Sequence, residues 1–230
     1  MHHEHHATSS ETIRDIVIGM SDGLTVPFAL AAGLSGAVHS SGVIVTAGIA
    51  EIVAGSIAMG LGGFLAGRTE ADHYRSELKR EYEEVERVPE QEKLEIREVF
   101  ADFGLSETLQ HQIADEMAKD KDKWVDFMMR YELGLEEPHP GRATKSALTI
   151  GISYIVGGII PLSPYVFVGE PFLALQYSCV TTLICLFVFG YFKSKVTGQP
   201  PIAGALKVVV IGALAAGAAF LMARLINKGV

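Results

Sequence analysis

The chain has 230 residues, 49% of them apolar and 20% charged, with mean hydropathy +0.28 and a formal charge of −8. This is too apolar for an ordinary soluble domain. The acidic balance excludes a nucleic-acid binder, which needs a basic face to neutralise phosphates, and two cysteines exclude a disulfide scaffold. The charge is unevenly placed. Residues 68–140 hold 21 Asp/Glu against 11 Lys/Arg, inside a chain that is otherwise nearly uncharged and Gly-rich.

A bilayer crossing takes about 20 predominantly apolar helical residues. Five stretches meet that length: 16–38, 43–66, 143–162, 172–192 and 202–226. Lys145 and Lys207 lie near span ends, where an amine snorkels to the headgroups. The first stretch is too long for a signal-peptide core, follows a His-rich tail without Lys or Arg, and contains Asp22, so it reads as a retained span. The predicted fold is an all-α membrane protein with five transmembrane helices and a three-helix cytoplasmic insert between spans two and three. Its expected parts are an N-terminal segment 1–15, spans one and two over 16–67, the acidic domain 68–141, and spans three to five over 142–230.

Arg14, Arg68, Arg142, Lys145, Lys193 and Lys195 fall on one side of such a bundle, and the loops 39–42 and 163–171 carry no Lys or Arg. The bias puts the N-terminus and residues 68–141 in the cytoplasm, with Arg224 and Lys228 pulling weakly the other way. There is no internal repeat to support a transporter of two inverted halves.

Within the acidic block, Tyr74, Leu78, Tyr82 and Val85 form one helical stripe without Gly or Pro, so span two is expected to continue as one long helix until Pro89 stops it. A second helix is expected over 90–103. A third is expected to start at the N-cap Ser106 and run unbroken to about Leu133, with Leu109, Ile113, Met117, Trp124, Met128 and Tyr131 on its apolar stripe. Three such helices make a thin core that needs further support.

Glu77, Glu81 and Glu84 share one helix face, and Glu92 and Glu95 share another. A solvated acidic face is one reading; carboxylates gathered for a cation are the other. Met128, Met129 and Glu132 add a soft-plus-hard patch, and oxygen with thioether sulfur suits a borderline transition metal better than Ca²⁺ or Mg²⁺. Met128 also fits the apolar stripe; Met129 lies off it.

Acids at bilayer depth are costly and mark function. Asp22 sits in Asp22-Gly23-Leu24-Thr25-Val26-Pro27, where Pro27 has no N–H for the Gly23 carbonyl, which suggests a ligand set in a broken helix. Glu51 is followed eight residues on by Met59 along roughly one face. These ligands are few for one divalent ion, and a homodimer would double them. A carboxylate in low dielectric also exchanges metal for protons. Cys179 and Cys185 read as packing residues.

The Asp22–Pro27 segment, the Glu51/Met59 pair, the charged insert and the five-span layout together resemble the plant-type vacuolar iron transporter family over essentially the whole chain. The resemblance implies a non-enzymatic Fe²⁺/H⁺ antiporter that moves iron from cytosol into the vacuole, as a homodimer in the multi-pass vacuole membrane. It implies a translocation path at Asp22, Glu51 and Met59 and a cytoplasmic mouth at Glu11 and Asp15. Metal capture would fall on Glu81, Glu84, Glu92, Glu95, Met128, Met129 and Glu132. No organic cofactor is expected, and Mn²⁺, Co²⁺ and Zn²⁺ share these ligands with Fe²⁺. The alternative is a membrane-anchored metal sensor or store without transport. The His2-His3-Glu4-His5-His6 tail matches no motif.

Overall fold

The computed structural model describes residues 6–229, with side chains over 11–227; the histidine-rich tail called out above lies outside the described side chains. Among the described residues the chain is helical throughout, without a strand: α1 His6–Ser35, α2 Ser41–Arg87, α3 Pro89–Asp102, α4 Glu107–Met117, α5 Lys121–Phe127, a π-helical turn Met128–Glu132, α6 Arg142–Phe167, α7 Pro171–Val196 and α8 Pro201–Gly229. They form two compact units, Met1–Phe64 with Ala143–Val230, and Leu65–Arg142. Five helices, α1, α2, α6, α7 and α8, are long and apolar enough to cross a membrane.

In the first unit the outside is as apolar as the inside. Ile57, Leu61, Ile159, Ile184 and Leu214 are exposed, while Phe28, Ile44, Leu162 and Leu175 fill the interior. With lipid as apolar as leucine, only close packing draws helices together, and glycine allows it. A Cβ on Gly23 of α1 would stand 2.3 Å from the Tyr154 carbonyl oxygen of α6, and one on Gly157 of α6 would stand 2.9 Å from the Leu24 nitrogen. On α2, a Cβ at Gly60 would come within 3.0 Å of the Ala147 carbonyl oxygen, and one at Gly55 within 2.5 Å of the Tyr154 hydroxyl. α6 therefore meets both α1 and α2 along glycine faces.

The proline-containing spans differ from expectation. α1 continues as one helix through Pro27, so the Asp22 segment is not a broken helix; the ring removes one hydrogen bond without ending the spiral. α6 runs through Pro161 and Pro164 to Phe167, five residues past its expected end, because the carbonyl orphaned by Pro164, that of Ile160, accepts from the Ser163 hydroxyl at 2.8 Å. The expected 163–171 loop shrinks to three residues before Pro171 opens α7, whose N-cap Glu170 accepts from the amides of Phe172 and Leu173.

The second unit surrounds Val85, Ile96, Ala114, Trp124 and Val125. α2 is one 47-residue helix that stops before Pro89, as its unbroken stripe predicts. The expected third helix is instead three pieces. Asp120 interrupts it by accepting from the Lys123 amide, which caps α5 rather than letting α4 continue. The turn after α5 then widens, with the Leu133 amide reaching the Met128 carbonyl at 3.1 Å, five residues back. Leu109 and Tyr131, expected in the stripe, are exposed, and Tyr131 stacks on Phe127 at 4.7 Å. Polar bridges support the thin core: Tyr82 donates to Asp122 at 2.9 Å, Lys121 pairs with Glu86, and Lys93 pairs with Asp115 at 2.9 Å.

Gly23→Val is expected to lower the melting temperature of the purified protein by several degrees or abolish its folding, because a backbone carbonyl has no room to give. Gly62→Ala, with nothing within 4 Å of the added Cβ, is expected to leave it unchanged or slightly raised. Thermal unfolding of both variants in detergent checks the pair.

Candidate functional site

α1 carries its acids on one stripe: Glu11, Asp15 and Asp22 are spaced by one turn and then by two, since eleven residues make about three turns. Asp15 is buried, with its carboxylate 3.8 Å from the Arg14 guanidinium; Glu11 and Asp22 are half-buried. The Asp22 neighbour, Gly23, is where α1 touches the Tyr154 backbone.

Tyr154 also reaches α2. Its hydroxyl donates to Glu51 Oε1, and its ring lies over Gly55, one turn further along. Glu51 Oε2 is buried and has no hydrogen-bond partner. One tyrosine thus joins the Asp22 segment to Glu51, with its backbone against one and its phenol on the other. Met59 lies one turn past Gly55, half-buried on the same helix. Sequence reasoning missed Tyr154, because a lone tyrosine in an apolar span carries no signal until Gly23 and Gly55 are known to face it.

In the second unit Glu81 and Glu84 come from α2, Glu92 and Glu95 from α3, and Met128, Met129 and Glu132 from the π turn. Glu81 and Glu92 are buried, each with one oxygen, Oε2, that has no partner. Burial first, then the charges of Glu95, Glu81, Glu84 and Glu132, pushes the Glu92 carboxyl up to about 7. Glu132 shows much of its surface to solvent, yet its carboxyl rises to about 7 as well, through partial desolvation and then the charges of Glu95 and Glu81, with Arg80 opposing. Glu81 is raised by burial and Glu84, while Arg80 pulls it back. These five carboxylates therefore lie within electrostatic reach of one another, although among the described residues no three His, Cys, Asp or Glu side chains converge tightly enough to hold an ion as they stand.

Met128 and Met129 are both buried and both pack into the Trp124 cluster. An α-helix turns consecutive side chains about 100° apart, so Met129 was expected off the apolar stripe. The widened π turn brings it inside with Met128. The same unit therefore carries carboxylates that repel one another and two buried thioethers, with Glu132 on the turn that holds both sulfurs.

A sequence profile of the VIT family matches residues 13–224 of this chain. The chain is 52% identical over 223 residues to the Vacuolar iron transporter of Centaurea cyanus, covering 97% of this chain and 91% of that protein. It is 51% identical over 226 residues to Vacuolar iron transporter 1 of Arabidopsis thaliana, covering 98% and 90% respectively. Protein CCC1 of Saccharomyces cerevisiae is 40% identical over 228 residues, covering 94% of this chain and 69% of that protein.

The raised carboxyls give two pH dependences. Groups whose folded value stands near 7 hold their protons more tightly folded than unfolded, so without metal the acidic unit loses stability as pH rises from the ordinary carboxylate range through about 7. Metal needs the ionised forms, so Mn²⁺ affinity is expected to rise with pH, by at most about tenfold per pH unit for each proton displaced below about 7 and levelling off above it; titration calorimetry at pH 6, 7 and 8 reads the change of slope. In the first unit, Tyr154→Phe leaves both Glu51 oxygens buried without a donor, at a cost of about 1–3 kcal/mol. A lower melting temperature is expected, recovered by adding Glu51→Gln only if the uncompensated charge is the cause.

Proposed function

Because the chain belongs to the VIT family, we propose that it carries Fe²⁺ from the cytosol into a vacuole in exchange for protons, working as a homodimer in the vacuole membrane. Its named relatives are transporters, not enzymes, and so is this chain. In this reading α1, α2, α6, α7 and α8 are the five spans, with 1–15 and 68–141 on the cytoplasmic side. The observation that carries the proposal is Glu51, a carboxylate inside an apolar span with one oxygen on Tyr154 and the other buried without a partner.

A buried carboxylate oxygen without a partner is one that an arriving cation can satisfy. An exchanger needs the metal and the protons it trades for not to occupy the path together. Asp22, joined to this position through Tyr154, supplies the second carboxylate of the path, and Met59 adds a sulfur that favours a transition metal over a hard ion. Glu11 and Asp15, on the Asp22 stripe, form the cytoplasmic mouth, where ionised acids draw cations in. An acidic lumen protonates the path from the far side, releases the metal there and returns protons to the cytosol.

The 68–141 block captures Fe²⁺ on the cytoplasmic side before transport, through Glu81, Glu84, Glu92, Glu95, Met128, Met129 and Glu132. Two copies of the chain around one path double the ligands that each protomer offers. Mn²⁺, Co²⁺ and Zn²⁺ fit the same donor set. A membrane-anchored sensor or store would account for the acidic block and would leave Asp22 and Glu51 without a use.

The test is uptake into proteoliposomes with an acidic lumen and a pH-sensitive dye inside. Fe²⁺ added outside is expected to raise luminal pH. Asp22→Ala is expected to remove the signal, whereas Glu92→Ala with Glu95→Ala raises the Fe²⁺ concentration needed and leaves the maximal rate. Full transport by the Asp22 variant overturns the mechanism.

A further inference from the structure

We infer that Arg80 is a tethered counter-cation of the acidic cluster, which sits on the carboxylates while no metal is bound and which an incoming divalent ion must displace. The inference rests on the proposed reading of this cluster as the metal-capturing site.

The guanidinium spans three carboxylates of its own helix. It lies 2.7 Å from Glu77 Oε2, 3.3 Å from Glu84 Oε2 and 3.6 Å from Glu81 Oε1. Glu81 is almost wholly buried, at 2% side-chain exposure, and its second oxygen, like one oxygen of Glu92, is buried without a hydrogen-bond partner. Arg80 therefore neutralises the α2 side of the cluster and leaves its inward oxygens unused. This accounts for a group of carboxylates that is close enough to interact but does not converge on a point.

The occupant is built to leave. Arg80 is half exposed, so its own return to solvent costs little, and the largely buried carboxylates it vacates are compensated only if the arriving ion takes its place. A guanidinium carries one charge and finds no use for sulfur. A transition-metal ion brings two charges in a smaller volume and gains Met128 and Met129 as donors. Mg²⁺ and Ca²⁺ gain only the oxygens. Because the competitor is attached to the same helix, its effective concentration is high and constant. It weakens every ion by a similar factor, so a hard ion with little affinity to lose falls below occupancy while a borderline ion still binds. Arg80 thus sets a threshold for entry, and it returns to the acids when the ion departs.

The experiment is calorimetric titration of Mn²⁺, and separately Ca²⁺, into the full-length protein in detergent at pH 7.5. Wild type is compared with Arg80→Gln, Arg80→Lys and Lys79→Gln. Lys79 is 80% exposed and pairs with Glu83, so its variant removes the same charge one residue away without touching the contacts of Arg80. Arg80→Gln is expected to tighten both ions about three- to tenfold, with Ca²⁺ binding becoming measurable. Arg80→Lys is expected to fall between, since an ammonium lacks the fork that spans three acids, and Lys79→Gln is expected to stay near wild type. Unchanged or weaker Mn²⁺ binding by Arg80→Gln overturns the inference, as does a Lys79→Gln effect of equal size, which would mean general charge and not displacement. If wild type binds Mn²⁺ and Arg80→Gln matches it, the capture site stands and only the role of Arg80 is lost. If wild type binds no Mn²⁺, both are lost.

Discussion

Helix-to-helix approach at glycine is the constraint on which the first unit depends. Where Gly23 of α1 meets the Tyr154 backbone and Gly157 of α6 meets Leu24, there is room for hydrogen and nothing larger. That contact fixes the height of Tyr154 and so brings its hydroxyl to Glu51. A side chain at either glycine would separate α1 from α6, and the Asp22 segment would part from Glu51 with it. In a medium where apolar surface provides no drive to associate, geometry of this kind sets the positions of the polar groups.

Both units confront the same difficulty, a carboxylate withdrawn from water, and they meet it with different chemistry. Around Glu51 the partner is a neutral phenol, which satisfies one oxygen without supplying charge. Around Glu81 it is a guanidinium, which supplies charge and can swing away. A neutral donor leaves a site able to take either a proton or a cation, as an exchange step requires. A charged, mobile donor suits a site that waits for metal in a solution full of other ions.

Much of this was readable beforehand, and the failures have local causes. The spans were visible because twenty apolar residues in a row have few other uses, and α2 was foreseen as continuous because no Gly or Pro interrupts 68–88. Helical spacing singled out Glu77, Glu81, Glu84, Glu92 and Glu95, and their cost in an apolar stretch singled out Asp22 and Glu51. Three things were hidden. Pro27 read as a break although α1 continues through it, and the span before Pro164 read as ending early, since the sequence does not say that Ser163 will satisfy the Ile160 carbonyl. Asp120 looked like one more surface acid until its side chain was seen capping α5. Tyr154 gave no sign, because its role is set by glycines more than ninety residues away along the chain. The π turn was hidden for a related reason: Met128 and Met129 face inward together only when one turn holds an extra residue, and no residue type announces that.

Trp124 is the only tryptophan in the chain. It is buried in the cluster that contains Met128 and Met129, and its indole N–H has no hydrogen-bond partner. All indole emission from the protein therefore originates beside the thioethers. An open-shell ion such as Co²⁺ or Fe²⁺ arriving there would quench it, and a closed-shell ion such as Zn²⁺ would shift it by altering the packing. The molecule carries its own optical probe, seated in the core of the acidic unit, which needs no label and no added residue.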